Sequence, residues 1–389
     1  MSQLLDSAPR EPALPPPDAS WERDVGGIRV IFGAGRLSEA GALAARLGGR
    51  ALLVTDPGLV ASGHAAAALA ALDAAGVEVE TFAGVSPNPT TRDVEAGVAA
   101  ARRRPVELIV ALGGGSAMDC AKGINFLLTN GGRMEDYRGF GKAARPLLPA
   151  LGIPSTAGTG SDAQSYALIS QATTHRKMAC GDPQARFRTV ILDPELLTTV
   201  PPRVAAAAAM DALSHALESH VTSARTPASA ARSLAAFRLL EPALAAAAEP
   251  AVASPADRGR LLLGAHLAGA AIEASMLGAT HAAANPLTAR FGVPHGEAVG
   301  LLLPAVIRYN APAAEALYRE LWPAGGAALA AWVERLRREL GLPARLAELG
   351  VAPAQLPALA AEASAEWTGR YNPRPVDRRA CEELYASAL

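Results

Sequence analysis

From Ile28 onward, short apolar runs alternate with longer Ala-rich stretches whose apolar positions recur at helical spacing. Residues 28–32, 51–55, 77–82 and 107–112 read as strands, and residues 37–47, 59–75 and 91–103 as helices. Strands that are apolar almost throughout, separated by helices, predict a parallel sheet covered on both faces. After Asp193-Pro194 the pattern changes: Pro201-Pro202 opens long Ala/Leu-rich stretches with helical spacing and no convincing strand. The expected organisation is a Pro-rich mobile tail over residues 1–24, an α/β domain over 25–197 and an all-helical domain over 198–389. Residues 261–287 are apolar enough to suggest a membrane span, yet His266, Glu273, His281 and Asn285 interrupt them. Ionisable groups are costly in lipid, so a buried helix is the better reading.

Composition narrows the function. Lys and Arg number 36 against 37 Asp and Glu, with no basic run, so nothing marks a nucleic-acid partner. Only three lysines are present, Lys122, Lys142 and Lys177, which singles each of them out. The scattered Cys120, Cys180 and Cys381 form no CxxC pair and fit a reducing cytoplasm. The N-terminus lacks the basic start and apolar core of a signal peptide.

Two constellations carry chemistry. In the first, the run 107–112 leads straight into Gly113-Gly114-Gly115-Ser116 and then a helix bearing Asp119 and Lys122. Strand, glycine turn and helix together point backbone N–H groups and a helix N-terminus at one spot, where a pyrophosphate would be held. The turn is neither GxGxxG nor a P-loop, and a plain tight βα connection is the competing reading. Asp56 ends the second strand. It either accepts hydrogen bonds from an adenosine ribose, favouring NAD over NADP, or caps the next helix. In the second constellation, Asp211 and His215 stand four apart and project from one helix face, while His281 and His295 lie in a later region broken by Pro286, Gly292 and Pro294. One carboxylate with three imidazoles suits Fe(II) or Zn(II) with a position left open. His64, His175, His220 and His266 lack such company and read as surface or packing residues.

Together these segments resemble the iron-containing (group III) alcohol dehydrogenase family. Gly113-Gly-Gly-Ser-Ala-Met-Asp-Cys-Ala-Lys122 is similar to its GGGSxxDxAK segment, and Pro154-Ser-Thr-Ala-Gly-Thr-Gly-Ser-Asp162 to its PTTAGTGSE segment. Asp211-Ala-Leu-Ser-His215 and the stretch from Thr280-His281 to Pro294-His295-Gly296 resemble its two metal-binding signatures. The resemblance implies a dehydroquinate synthase-like fold: a dinucleotide-binding N-terminal domain, a helical metal-binding domain and a cleft between them. It places the metal on Asp211, His215, His281 and His295, and the pyrophosphate on Gly113, Gly114, Gly115 and Ser116. Asp119 would lie near the nicotinamide; Asn88, Ser155, Thr156 and Thr159 would line the cofactor, Lys177 would lie near its ribose, and Asp56 matches the position tied to NAD preference. The implied reaction is hydride transfer between nicotinamide C4 and a small metal-bound alcohol or aldehyde, with His281 and Asp119 essential, in a homodimer.

Three positions depart from the family pattern. Asn285 stands where many relatives carry a second histidine, Asp162 replaces Glu, and Ala209 replaces Gly. An amide cannot shuttle a proton at neutral pH, so proton transfer would pass through water, the cofactor ribose or another group. The alternatives are a dehydroquinate-synthase-like cyclase, using NAD and metal without net oxidation, and a non-catalytic nucleotide-binding scaffold. The first is disfavoured by Asp211 and the scarcity of lysine, and the second by four filled ligand positions.

Overall fold

A computed structural model describes residues 14–174 and 176–389; residues 1–13 of the expected tail and His175 lie outside the described residues. Contacts divide the chain into two compact units: one over residues 14–156 and 161–200, the other over 157–160 and 201–389.

The first unit is α/β. Its strands are β1 (Trp21–Val25), β2 (Ile28–Phe32), β3 (Arg50–Val54), β4 (Glu78–Phe82), β5 (Leu108–Gly113), β6 (Gly139–Phe140), β7 (Ala150–Pro154), β8 (Tyr166–Ser170), β9 (Lys177–Gly181) and β10 (Thr189–Leu192). Its helices are α1 (Ala40–Ala45), α2 (Pro57–Ala61), α3 (His64–Ala74), α4 (Thr91–Ala101) and α5 (Gly115–Asn130). Seven strands form one sheet in the order β1-β2-β10-β7-β5-β3-β4, parallel except for the β1–β2 hairpin. Alternate residues Ala51, Leu53, Leu108, Val110, Leu112, Leu151 and Ile153 form one face and pack with Ala40, Leu43, Ala68 and Leu72 of α1 and α3. The intervening Leu52, Val54, Ile109 and Ala111 are equally buried, so both faces are covered, as near-continuous apolar strands require.

Several elements differ from the sequence reading. Residues 21–24, expected in the tail, belong to β1, which pairs antiparallel with β2. The single helix expected over 59–75 is two, divided at Gly63. A second, three-stranded sheet, β6-β9-β8, was not anticipated. Lys122 explains part of its placement: the buried ammonium donates to the carbonyls of Ser161, Gln164 and Tyr166 at 2.6, 2.7 and 2.9 Å, fixing the segment that enters β8.

The second unit is helical: α6 (Pro202–Val221), α7 (Pro227–Leu240), α8 (Pro255–Glu273), α9 (Ala279–Phe291), α10 (His295–Leu321), α11 (Gly326–Glu339), α12 (Leu356–Ala365) and α13 (Arg378–Ser387). Proline at the first position pre-sets the backbone of α6, α7 and α8, and the Thr226 and Ser254 hydroxyls accept backbone N–H bonds at the starts of α7 and α8. Helix α6 is buried nearly all round from Ala206 to Val221, packed by α7, α8 and α10. The apolar region 261–287 is two helices, α8 and α9, and no helix among the described residues is long and apolar enough to cross a membrane. Pro286, expected to break the path between His281 and His295, sits inside α9; the break falls at Gly292, whose left-handed backbone ends the helix.

Candidate functional site

The helical unit gathers the four candidate metal ligands from three helices. Asp211 and His215 lie one turn apart in the middle of α6, His281 in the first turn of α9, and His295 at the start of α10. His215 Nε2 lies 3.4 Å from Asp211 Oδ1, His281 Nε2 lies 3.5 Å from it and His295 Nε2 3.8 Å. The Nε2 atoms of His215 and His281 are 3.1 Å apart. Donors arranged tetrahedrally around a divalent ion at about 2.0–2.2 Å stand roughly 3.3–3.6 Å from one another; these four separations lie near that range, and Asp211, His281 and His295 place donor atoms within 4.8 Å of one another. Asp211 Oδ1 is buried, accepts no conventional hydrogen bond and faces imidazole nitrogens only, an arrangement that a cation would satisfy.

Glu218, which sequence reasoning did not single out, organises this cluster. It lies on α6 one turn beyond His215, so Asp211, His215 and Glu218 share a face at i, i+4 and i+7. Its Oε2 stands 2.6 Å from His281 Nδ1, and its Oε1 accepts the Thr280 N–H at 2.7 Å. The carboxylate thereby holds the proton on His281 Nδ1 and leaves Nε2 aimed at Asp211, the outer-shell pattern of metal-binding histidines. The glycine following His295 permits the approach of α10 to α6: a Cβ on Gly296 would lie 2.0 Å from the Ala207 carbonyl oxygen.

The charges of the cluster are coupled. Burial alone would raise the Asp211 pKa, but the neighbouring His215, His281 and His295 outweigh it and hold the carboxyl far below its usual range. Burial disfavours the His281 imidazolium, yet the Asp211 carboxylate beside it and the hydrogen bond with Glu218 raise its pKa to about 9. Burial dominates at His215 and lowers its pKa, which keeps it a neutral nitrogen donor.

Around the glycine turn, the α/β unit assembles most of the candidate cofactor residues. Strand β5 ends at Gly113, α5 begins at Gly115, and Gly114 is its cap. Gly113 has φ +150°, and a Cβ there would stand 2.6 Å from Ala117 Cβ and 3.1 Å from Asp56 Oδ2. A Cβ on Gly114 would lie 3.1 Å from Thr156 Oγ1, the Ser155 N–H donates to the Gly113 carbonyl at 2.9 Å, and the Asn88 N–H donates to Ser116 Oγ at 3.2 Å. Asp56, Asn88, Ser155 and Thr156 therefore flank a bare backbone cradle at the start of a 16-residue helix, where an anion is favoured. Asp56 does cap the next helix, but with Oδ1 alone, accepting from Gly58 and Leu59 at 2.8 and 3.1 Å.

Asp119, one turn into α5, is buried. Desolvation raises its pKa from 3.8 to about 6 against the opposing influence of Lys122, Lys177, Ser161 and Leu168. Lys177 lies on β9 and is thus near Asp119. Thr159 falls in the helical unit with the rest of 157–160, where Gly158 packs against Ala208 of α6.

Three other histidines lie among the described residues. His220 is wholly buried, bonded to Ser233 Oγ at 2.8 Å and Glu320 Oε2 at 3.1 Å; His64 bonds Thr199 at 2.9 Å, and His266 is buried in α8. Asn285, one turn after His281, donates to Glu366 Oε2 at 3.2 Å.

The profile described as "Iron-containing alcohol dehydrogenase" matches residues 28–194, and that described as "Fe-containing alcohol dehydrogenase family, C-terminal" matches residues 205–389. The chain belongs to the iron-containing alcohol dehydrogenase family, and it is an oxidoreductase of the alcohol dehydrogenase kind. It is 34% identical over 378 residues to the 1,3-propanediol dehydrogenase of Klebsiella pneumoniae, covering 92% of this chain and 96% of that one. It is 37% identical over 282 residues to alcohol dehydrogenase 4 of Schizosaccharomyces pombe, covering 72% of this chain but 66%, just under two thirds, of that protein. The solved sulfoacetaldehyde reductase of Bifidobacterium kashiwanohense in complex with NAD+ superposes with a TM-score of 0.85 at 27% identity, covering 95% of this chain and 99% of that one.

Proposed function

We propose that the protein is an NAD(H)-dependent, divalent-metal-dependent alcohol dehydrogenase and aldehyde reductase, acting on a small alcohol or carbonyl. The observation that carries this reading is the convergence of Asp211 Oδ1 with three imidazole Nε2 atoms, one of them aimed by Glu218. Asp211, His215, His281 and His295 would hold the ion. When bound, Fe(II) or Zn(II) supplies Lewis acidity toward a carbonyl or hydroxyl oxygen.

The chain's own residues do the rest. Asp211 provides the negative charge that makes a cation favourable in a buried site, and the imidazoles, neutral as ligands once a cation displaces the His281 proton, would add no charge of their own. Gly113 to Ser116 would hold the pyrophosphate with backbone N–H groups, while Asp56 Oδ2, which lies beside Gly113, would accept from the ribose and repel a 2′-phosphate. Asn88, Ser155, Thr156 and Lys177 would complete the cofactor site within the α/β unit, and Asp119 would lie near the nicotinamide. Asn285 is engaged with Glu366, and its amide supplies orientation and no proton, so the proton would come from water or the cofactor ribose.

Chelation and re-addition of metal under anaerobic conditions test the reading. Aldehyde-dependent NADH oxidation should vanish with the metal and return with Fe(II), one NADH consumed per aldehyde reduced. Activity indifferent to chelation would remove the metal from the mechanism. Turnover without net change in NADH would instead support the cyclase.

A further inference from the structure

Away from the residues discussed so far, the helical unit contains a cavity of about 260 Å³ between α10, α11 and α13. Leu301, Pro304, Ala305 and Leu384 form its apolar wall, and Arg308, Glu334, Arg337 and Glu383 its charged one. The two carboxylates are already engaged. Glu334 accepts from Arg308 at 2.7 Å, and Glu383 accepts from Arg379 at 3.0 Å. Arg337 has no direct partner of this kind: it is only 7% exposed, makes no ion pair among the described residues, feels Glu334 and Glu348 only through space, and donates once, from Nη1 to the Leu301 carbonyl at 3.3 Å. Its Nε–H is buried with nothing to accept it.

A buried guanidinium with five donors and one long bond is costly to fold, because burial disfavours charge unless an anion or a set of acceptors compensates it. A planar carboxylate in the cavity would pair with the face of the guanidinium that lines it, taking N–H groups that the single Leu301 carbonyl does not. The apolar wall would take a short hydrocarbon tail, and the volume falls just below the range that drug-sized ligands occupy. We propose that this cavity is a binding site for a small monocarboxylate with a short apolar tail, seated on Arg337. The site is independent of the metal and cofactor assignments, since none of its lining residues belongs to either.

The test is calorimetric titration of the full-length protein with acetate, butyrate and hexanoate, with chloride as the control anion. Saturable binding should strengthen along the series by up to about fourfold per methylene, the equivalent of burying each CH₂. Arg337→Met should weaken hexanoate binding about tenfold or more, the loss expected for a charge-assisted hydrogen bond. Ala305→Phe, which narrows the cavity without touching the guanidinium, should abolish binding of hexanoate, and serves alone if the Arg337 variant fails to fold. Absence of saturable binding, an equal response to chloride and hexanoate, or retention of full affinity in a folded variant would each overturn the proposal.

Discussion

The Glu218 carboxylate decides which nitrogen of His281 carries the proton. Glu218→Gln keeps the shape but accepts from Nδ1–H less strongly, so metal affinity should fall about 10- to 100-fold, as for other outer-shell partners of ligating histidines. Metal titration of the purified variant checks this, and unchanged affinity would reduce Glu218 to a packing residue. Asp119 makes a separate prediction about pH. Its folded pKa, about 6, lies above the ordinary 3.8, so the folded state holds the extra proton between those values. Stability from this group is therefore present below about pH 4, falls as pH rises to about 6, and stays lower above, by about 3 kcal/mol at most. Asp119→Asn cannot ionise, so its melting temperature relative to the parent should rise between pH 4 and pH 7; a difference constant with pH would contradict the buried-carboxylate account. At this scale Asp211, His215, His281 and His295 were legible because a carboxylate and three imidazoles in helical and turn contexts make an unusual set. Glu218 was not, because an acid seven residues after Asp211 looks like any polar position until the all-round burial of α6 is known.

Helices α6 and α10 meet through small residues, and the site depends on that closeness. A Cβ on Gly296 would lie 2.0 Å from the Ala207 carbonyl oxygen, so Gly296→Ala must push the start of α10, and His295 with it, away from α6. A stability loss of about 1–3 kcal/mol should accompany weaker metal binding, because overpacking and ligand displacement share one cause. Thermal melts and metal titration on the same variant check both; loss of stability with full metal affinity would show that His295 is placed by something else. The elements themselves were legible where their pattern was strong. Strands β2, β3 and β5 announced themselves as apolar runs, being buried on both faces, whereas β8 and β9 are short, partly exposed and held by Lys122 and by each other. Pro286 misled because a helix can tolerate one missing donor when its surroundings fix the backbone, as α9 does here. Gly63, inside an otherwise continuous Ala-rich stretch, takes φ +84° and divides α2 from α3.

For the whole molecule, the buried Asp211 and its imidazoles imply that metal binding and stability are linked. An ion at 100 times its dissociation constant should raise stability by about 2.7 kcal/mol, with a matching rise in melting temperature for the parent and none for Asp211→Ala. The division into an α/β unit and a helical unit followed from the change of period after Asp193, while the assignment of 157–160 to the helical unit did not, since packing against α6 leaves no periodic mark in four residues. Family membership rests on matches to both units; the central claim, that the four converging side chains hold the metal on which hydride transfer depends, rests on geometry. The measurement that tests it most directly is NADH oxidation by anaerobically prepared, Fe(II)-loaded protein against a panel of short aldehydes, comparing the parent with His281→Ala. The account predicts turnover in the parent and none in the variant, with NADH affinity nearly equal in the two. Turnover that survives the loss of His281 would contradict it.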